Sequence, residues 1–243
     1  MNLILIDPSE LDAAGSARLT DGRAAHLRDV LHAAVGDHVR VGVIDGSRGV
    51  GTVVAIGEDA VVIRCVLERD PPPRPSVDLL LALPRPKVMR RLWAQLSALG
   101  VDRIILTNAE RVERDYFGAH SLDVRVYRPL FIEGLQQARD TRVPRVSVHK
   151  RFKVLIEDEL DQMCPDDVRL VAHPGVDTPA SSRLRADGGR VLLAVGPEGG
   201  WNEFELTLLE THGFLSVGMG SRSLRSDTAC IALVALVHEA MRR

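Results

Sequence analysis

The chain has 243 residues, 45% of them hydrophobic, with a formal net charge of −2 at pH 7. This composition excludes a disordered chain and allows one large domain or two, each with its own core. The near-balanced charge excludes a globally cationic nucleic-acid binder, so any RNA or DNA footprint must be local.

Residues 1 to about 70 read as mostly β, with strands at Val39–Val43, Val50–Ile56 and Ala60–Leu67 punctuated by Gly36-Asp37, Asp45-Gly46 and Gly57-Glu58-Asp59. A short helix is predicted near Arg23–His32, with Leu27, Val30 and Leu31 as its apolar side. Several short strands at this spacing predict a small β-barrel. Pro71-Pro72-Pro73-Arg74-Pro75 then makes a stiff spacer, which predicts domains at 1–70 and 77–243 joined by a proline-rich linker at 71–76.

Beyond the prolines, strand and helix alternate. Strands are predicted at Val77–Leu83, Arg103–Leu106, Val168–Ala172 and Val191–Val195, with Val143–Val148 extended and Ser216-Val217 a strand end. Pro86–Leu99 has Met89, Leu92, Trp93, Leu96 and Leu99 on one face and Gly100 as its stop. Further helices are predicted over Tyr127–Arg139, Lys150–Met163 and roughly Asp227–Met241. Ile231, Leu233, Val234, Leu236 and Val237 make the last one apolar enough for a core or a dimer contact. The alternation predicts an α/β domain with a mainly parallel sheet and a ligand site at the carboxyl ends of its strands.

Two glycine-bearing bends in this domain carry the chemistry. Ala194-Val195-Gly196-Pro197-Glu198-Gly199-Gly200-Trp201 leaves a buried strand, and Asn202 with Glu205 forms a capping-box pattern for a following helix. Gly218-Met219-Gly220-Ser221-Arg222-Ser223-Leu224-Arg225-Ser226-Asp227 repeats the plan with a basic loop. Neither is a phosphate-binding Walker loop or a dinucleotide GxGxxG turn. Arg225 and Asp227 read either as an ion pair or as groups for a substrate phosphate or oxyanion. His173, at the end of Val168–Ala172, reads either as a hydrogen-bonded loop residue or as a base.

No histidine–cysteine spacing fits a metal ligand set, so no metal is expected. Cys65, Cys164 and Cys230 form no CxxC motif and no disulfide framework, which fits a reducing compartment. Met1–Asp7 lacks the basic flank of a signal peptide, and no run reaches the length of a membrane span. A cytoplasmic, soluble protein is expected.

Of the 31 basic residues only Lys87, Lys150 and Lys153 are lysine. An arginine excess fits a coding bias, and arginine also suits phosphate forks. Locally basic stretches are Arg85, Lys87, Arg90 and Arg91, and a denser run from Arg139 and Arg142 to Lys153. A solvated face accounts for either. Gln136, Gln137 and Arg139 at a helix end, with His26, Arg28 and His32 in the first domain, would alternatively face nucleic acid.

The pair of Gly196-Pro197-Glu198-Gly199-Gly200 and Leu224-Arg225-Ser226-Asp227-Thr228-Ala229 resembles the two carboxy-terminal motifs of RsmE-type enzymes. These are 16S ribosomal RNA (uridine-N3) methyltransferases of the SPOUT superfamily. His26-Leu27-Arg28-Asp29-Val30-Leu31 with Gly36-Asp37 looks like that family's amino-terminal PUA-like domain, and Gln137, Arg139 and Val143-Pro144 look like its central signature. The chain departs from the family pattern at Ser223, where an apolar residue is usual, at Asp227 for glutamate, at His32 for arginine and at Trp201 for phenylalanine.

The resemblance implies a trefoil-knotted carboxy-terminal domain, a homodimer, and S-adenosylmethionine as cofactor. The cofactor would be held by His173, Val195, Gly196, Pro197, Gly199, Gly200, Met219, Gly220 and Leu224. It further implies 16S rRNA or the small ribosomal subunit as partner, contacted by His26, Arg28, Gln137, Arg139, Arg142 and Arg222. Arg225 would stabilise charge on the uracil oxygens, with Asp227 and Glu198 as candidate catalytic carboxylates. Two other readings remain: a SPOUT enzyme methylating the ribose 2′-oxygen of transfer RNA, and a non-catalytic RNA binder with a degenerate pocket.

Overall fold

The computed structural model describes residues 2–165, 167–184, 189–222 and 224–242. Ser223 lies outside them, so the departure noted at that position has no structural account. The chain forms two compact units: one of residues 1–74 with 132–143, the other of 75–131 with 144–243.

The first unit is built on a five-stranded sheet. Strands β1 (Ile4–Ile6), β2 (Ser16–Leu19), β3 (His38–Val43), β4 (Arg48–Ile56) and β5 (Val61–Leu67) take the order β1-β3-β4-β5-β2. β1 pairs parallel with β3 and the remaining pairs are antiparallel. The pleat sends Ile4, Ile6, Leu19, Val41, Val53, Val61 and Ile63 to one buried face. In the same unit, Leu135 packs with Leu3 and Leu5. Thr141 Oγ1 donates to the Gly46 carbonyl at 2.6 Å.

The predicted helix at Arg23–His32 needs correction. Helix α1 spans only Gly22–Ala25, capped by the Asp21 carboxylate, and passes into a π turn at His26–Val30. Leu27 is buried, but Val30 and Leu31 are 62% and 50% exposed. The wider π turn rotates them off the face that Leu27 occupies.

The second unit contains β6 (Val77–Ala82), α2 (Pro86–Leu99), β7 (Val101–Thr107), the start of α3 (Val124–Ala138), β8 (Arg145–His149), α4 (Phe152–Val154), α5 (Leu160–Met163), β9 (Val168–Ala172), β10 (Val191–Val195), α6 (Glu203–Thr211), β11 (Leu215–Val217) and α7 (Ser226–Met241). Its sheet is parallel throughout, in the order β11-β9-β10-β6-β7-β8. β6 and β10 are buried along their whole length, as their unbroken apolar runs require. α2 buries Met89, Leu92, Trp93 and Leu96 and stops at Gly100, which is left-handed at φ 79°. The helix predicted over Lys150–Met163 is interrupted by a π turn at Leu155–Glu159. The extra residue in that turn lets Leu155, Ile156 and Leu160 all reach the core.

The amino ends of these strands hold a buried ionic cluster. Asp78 and Asp102, second residues of β6 and β7, are almost fully buried. Arg190 bridges them at 2.7 and 2.8 Å, while Arg103 reaches Asp78 at 2.5 Å and Asp167 at 3.0 Å. Arg145 pairs with Asp102 at 2.5 Å. Asp78, Cys164 and Asp167 come close enough together to resemble a metal ligand set. The guanidinium groups of Arg103 and Arg190 already supply the positive charge there, and desolvation pushes the Cys164 thiol up to about 12, away from the thiolate a metal needs.

Candidate active site

At the opposite, carboxyl ends, β6 leads to β7 and β8 on one side while β10, β9 and β11 lie on the other. Three successive strand ends on that second side open into one cavity of about 280 Å³. Ala172 ends β9 and His173 and Pro174 follow it, Val195 ends β10 and Gly196 to Gly200 follow, and Val217 ends β11 and Gly218 to Gly220 follow. Arg222, Leu224 and the start of α7 (Ser226, Ala229, Leu233) complete the wall. The two bends read from the sequence therefore meet, with Gly199 and Leu224 lining the same space.

Local chemistry fixes each wall. Gly200 adopts φ 75°, a left-handed turn that a side chain would strain. The Asn202 side chain accepts from Glu205 N at 2.8 Å, and Glu205 returns a bond from Asn202 N at 2.9 Å, forming the predicted capping box of α6. Glu205 is nearly fully buried, and its other oxygen accepts from Glu110 N at 2.6 Å, tying the loop after β7 to the loop after β10. Arg111, in that first loop, donates to the Gly199 carbonyl. The Trp201 indole lies against Gly196, where a Cβ would meet Nε1 at 3.1 Å. Gly218 is packed so tightly that a Cβ would collide with the Val176 carbonyl oxygen.

All nine residues expected to hold the cofactor line this cavity: His173, Val195, Gly196, Pro197, Gly199, Gly200, Met219, Gly220 and Leu224. Among the described residues His173 Nδ1 is buried without a hydrogen-bond partner, while its backbone N–H donates to the Val217 carbonyl at 3.0 Å. A buried orphan nitrogen, glycine backbone edges and the apolar Val217, Ala229 and Leu233 together suit a ligand with both an aromatic heterocycle and a charged tail.

Of the catalytic candidates, Glu198 lines the cavity and pairs with Arg85 at 3.1 Å. Asp227 sits in the first turn of α7 and is held by Arg91 at 2.9 Å, so its partner is not Arg225. Arg225 is the N-cap residue of α7, exposed beside the cavity, and has no ion-pair partner among the described residues. Cys230, one turn further on, is buried, and desolvation pushes its thiol up to about 12, which removes it as a nucleophile.

The residues expected to meet RNA separate into two kinds. Arg222 lines the cavity and is exposed. In the first unit, Arg28 donates to the Gly57 and Glu58 carbonyls at 3.2 and 2.5 Å, and Arg142 to Pro72 and Asp45 carbonyls at 2.6 and 2.8 Å. Gln137 accepts from the Asn2 side chain, and His26 is half-buried. Arg139 alone of these four arginine and glutamine positions projects freely, from a left-handed backbone at φ 60°. Sequence reasoning missed Arg111, the second bond of Glu205, and the specific partners of Arg85 and Arg91. The basic start of α2 was the available signal for the last two, and Arg111 had none.

A parallel α/β domain with a glycine-walled cavity at its strand ends, next to an exposed arginine, has the form of a nucleotide-cofactor transferase. The chain belongs to the RNA methyltransferase domain family, which matches residues 71–238. It is 29% identical over 98% of its length to ribosomal RNA small subunit methyltransferase E of Treponema pallidum, covering 90% of that protein. It is 28% identical to the Mycobacterium bovis protein of the same name, over 81% of this chain and 84% of the relative. A solved structure of ribosomal RNA small subunit methyltransferase E from Neisseria gonorrhoeae, bound to S-adenosyl methionine, superposes with a TM-score of 0.76. It is 20% identical and covers 98% of this chain and 97% of that one. A methyltransferase of Legionella pneumophila with SAM bound gives the same TM-score, identity and coverage.

Proposed function

We propose that this protein transfers a methyl group from S-adenosylmethionine to N3 of a uridine in the 16S RNA of the small ribosomal subunit. The observation that carries the reading is the convergence of three strand-end loops, His173, Gly196–Gly200 and Gly218–Leu224, on one cavity flanked by Arg225. The names of the T. pallidum and N. gonorrhoeae relatives support the substrate, and the bound ligand of the latter supports the cofactor.

The cofactor supplies an electrophilic methyl group on a sulfonium. The chain's own residues do the rest. Gly196–Gly200 and Met219–Gly220 present backbone donors and acceptors to the adenosine edge, and His173 offers the unpartnered Nδ1. Val217 and Leu233, both buried, give the cavity a water-excluding apolar wall. Arg225 stabilises the negative charge that grows on the uracil oxygens as the N3 proton leaves. Glu198 and Asp227 are the nearby carboxylates for that proton, each held in place by a guanidinium. None of these steps requires a metal.

The finer architecture follows the same reading. The first unit serves as a PUA-like RNA-docking domain. The second is a SPOUT domain with a trefoil knot, supported by β10 inserted between β9 and β6 and by Gly218 lodged against Val176 of the loop after β9. A homodimer is supported by the apolar side chains that α7 leaves outside the core, Ala235 and Leu236 exposed and Ile231 half-buried, a strip that a second copy would cover. The protein works in the cytoplasm, where its substrate is.

The test is incubation of unmodified small subunits with labelled cofactor, followed by nucleoside mass spectrometry and mapping of the modified position. N3-methyluridine in 16S RNA is the expected product. A ribose-methylated nucleoside, or label entering transfer RNA alone, would overturn the assignment. Calorimetry showing no heat with S-adenosylmethionine would favour a non-catalytic RNA binder.

A further inference from the structure

The outward face of the first unit's sheet has a charge pattern that its fold does not explain. Strand register aligns Arg40 with Val50 and Val50 with Val66 across β3, β4 and β5. One step along, Arg48 lies opposite Gly42, and on the other side Thr52 lies opposite both His38 and Arg64. Arg18 faces Val62 on the neighbouring pair. Pleating sends all of these side chains to the same side, away from the core formed by Val41, Val53, Val61 and Ile63.

Arg18, Arg40 and Arg64 are exposed and have no ion-pair partner among the described residues. Arg48 has only a loose 3.9 Å contact with Glu68. Val50 and Val66 lie between these arginines, 48% and 72% exposed. Along one edge the face dips into a hollow of about 460 Å³, lined by Arg40, Arg48, Val50, Val66, Glu68 and Arg139. Arg139 enters the hollow from a left-handed backbone at the end of α3, a position where glycine would cost least. Keeping an arginine there retains strain of the kind found at binding sites.

We propose that this face, with the hollow lined by Arg40, Arg48 and Arg139, is a docking track for the sugar–phosphate backbone of the RNA substrate. The proposal rests on the methyltransferase reading and moves the contact from the α1 turn, where Arg28 is spent on the Gly57 and Glu58 carbonyls, to the open sheet. One arginine on each of four neighbouring strands, Arg40 on β3, Arg48 on β4, Arg64 on β5 and Arg18 on β2, spreads charge across the sheet rather than gathering it at a point, which fits a polyanion better than a single ion. The valines offer sugars and base faces an apolar floor between the bound phosphates. Attraction of this kind is sequence-independent, so target choice stays with the cavity of the second unit.

Filter binding of in vitro transcribed 16S RNA, across a salt series, tests this. Arg40→Ala with Arg48→Ala is expected to weaken RNA affinity about tenfold and to lower the salt slope by about one for each phosphate left without its cation. KM for small subunits should rise with kcat at saturation and cofactor affinity unchanged. Arg139→Gly guards against mere misfolding: it relieves the left-handed backbone, so its Tm should hold or rise while RNA affinity falls. Unchanged affinity and slope in both variants would overturn the track while leaving the activity assignment intact. Equal affinity of the wild type for polyglutamate would overturn the assignment to RNA backbone. A wild-type protein that methylates nothing, and whose RNA affinity still falls in these variants, would sink the enzyme reading alone.

Discussion

The two ends of the parallel sheet handle charge in opposite ways. At the amino ends, Asp78 and Asp102 are buried and cross-bridged by Arg103, Arg145 and Arg190, so every charge has a fixed partner within the scaffold. At the carboxyl ends, Arg222 and Arg225 stand exposed beside a cavity with no ion-pair partner among the described residues, and His173 keeps a buried nitrogen unmatched. Density of charge therefore says little about function here. What marks the carboxyl end is that, beside the paired carboxylates Glu198 and Asp227, it keeps two arginines in reserve.

Breaking the scaffold end should have the largest energetic effect. Asp78→Ala leaves two guanidinium groups facing a void, and removing one partner of a buried ionic cluster costs about 3–5 kcal/mol. Thermal unfolding should show a large fall in Tm, while methylation per folded molecule stays near that of the wild type. At the other end Arg225→Ala should do the reverse: methyl transfer falls by about 10²–10³ or more, with Tm and cofactor affinity little changed. Normal turnover in that variant would remove Arg225 from the mechanism.

Glu205→Ala sharpens the contrast, because this carboxylate is buried yet belongs to the site. Leaving Glu110 N and Asn202 N without their acceptor should cost about 1–3 kcal/mol and weaken cofactor binding as well, read by melting and calorimetry on the same sample. Arg91→Ala frees Asp227, and a kcat lowered severalfold with unchanged KM is expected if the carboxylate's placement matters.

The smallest expected effect concerns pH. His238, on α7 against the Gly100 carbonyl, has its pKa lowered chiefly by burial, with repulsion from Arg242 adding to it. The unfolded chain therefore takes up this proton first on acidification. Its contribution is complete above about pH 6.5 and is lost as the pH falls below that towards the folded value. His238→Gln should flatten that part of the stability curve, measured by urea unfolding between pH 7.5 and 5.5.

Much of this was legible in the chain because it depended on neighbours in sequence. The face of α2, the capping box at Asn202 and Glu205, and the start of α7 at Ser226 follow from spacing alone. The π turns at His26–Val30 and Leu155–Glu159 were not legible, since a one-residue expansion leaves no mark on an apolar pattern. Neither were the pairings of Asp78 with Arg190 or Arg91 with Asp227, which span 112 and 136 residues and exist only once the strand order is set. The glycine bends marked the site's walls, but the sequence could not say which arginines would be left over.

Glu205 also limits how the cavity can breathe. One carboxylate ties the loop after β7 to the loop after β10, and Arg111 adds a second fastening at Gly199, so separating those two walls would break these bonds. Exchange of a bulky occupant is then left to the third flank, the exposed run at Gly220–Arg222 and Leu224–Arg225. That flank and Arg225, the arginine proposed to stabilise charge on the uracil, thus belong to one short strip of chain.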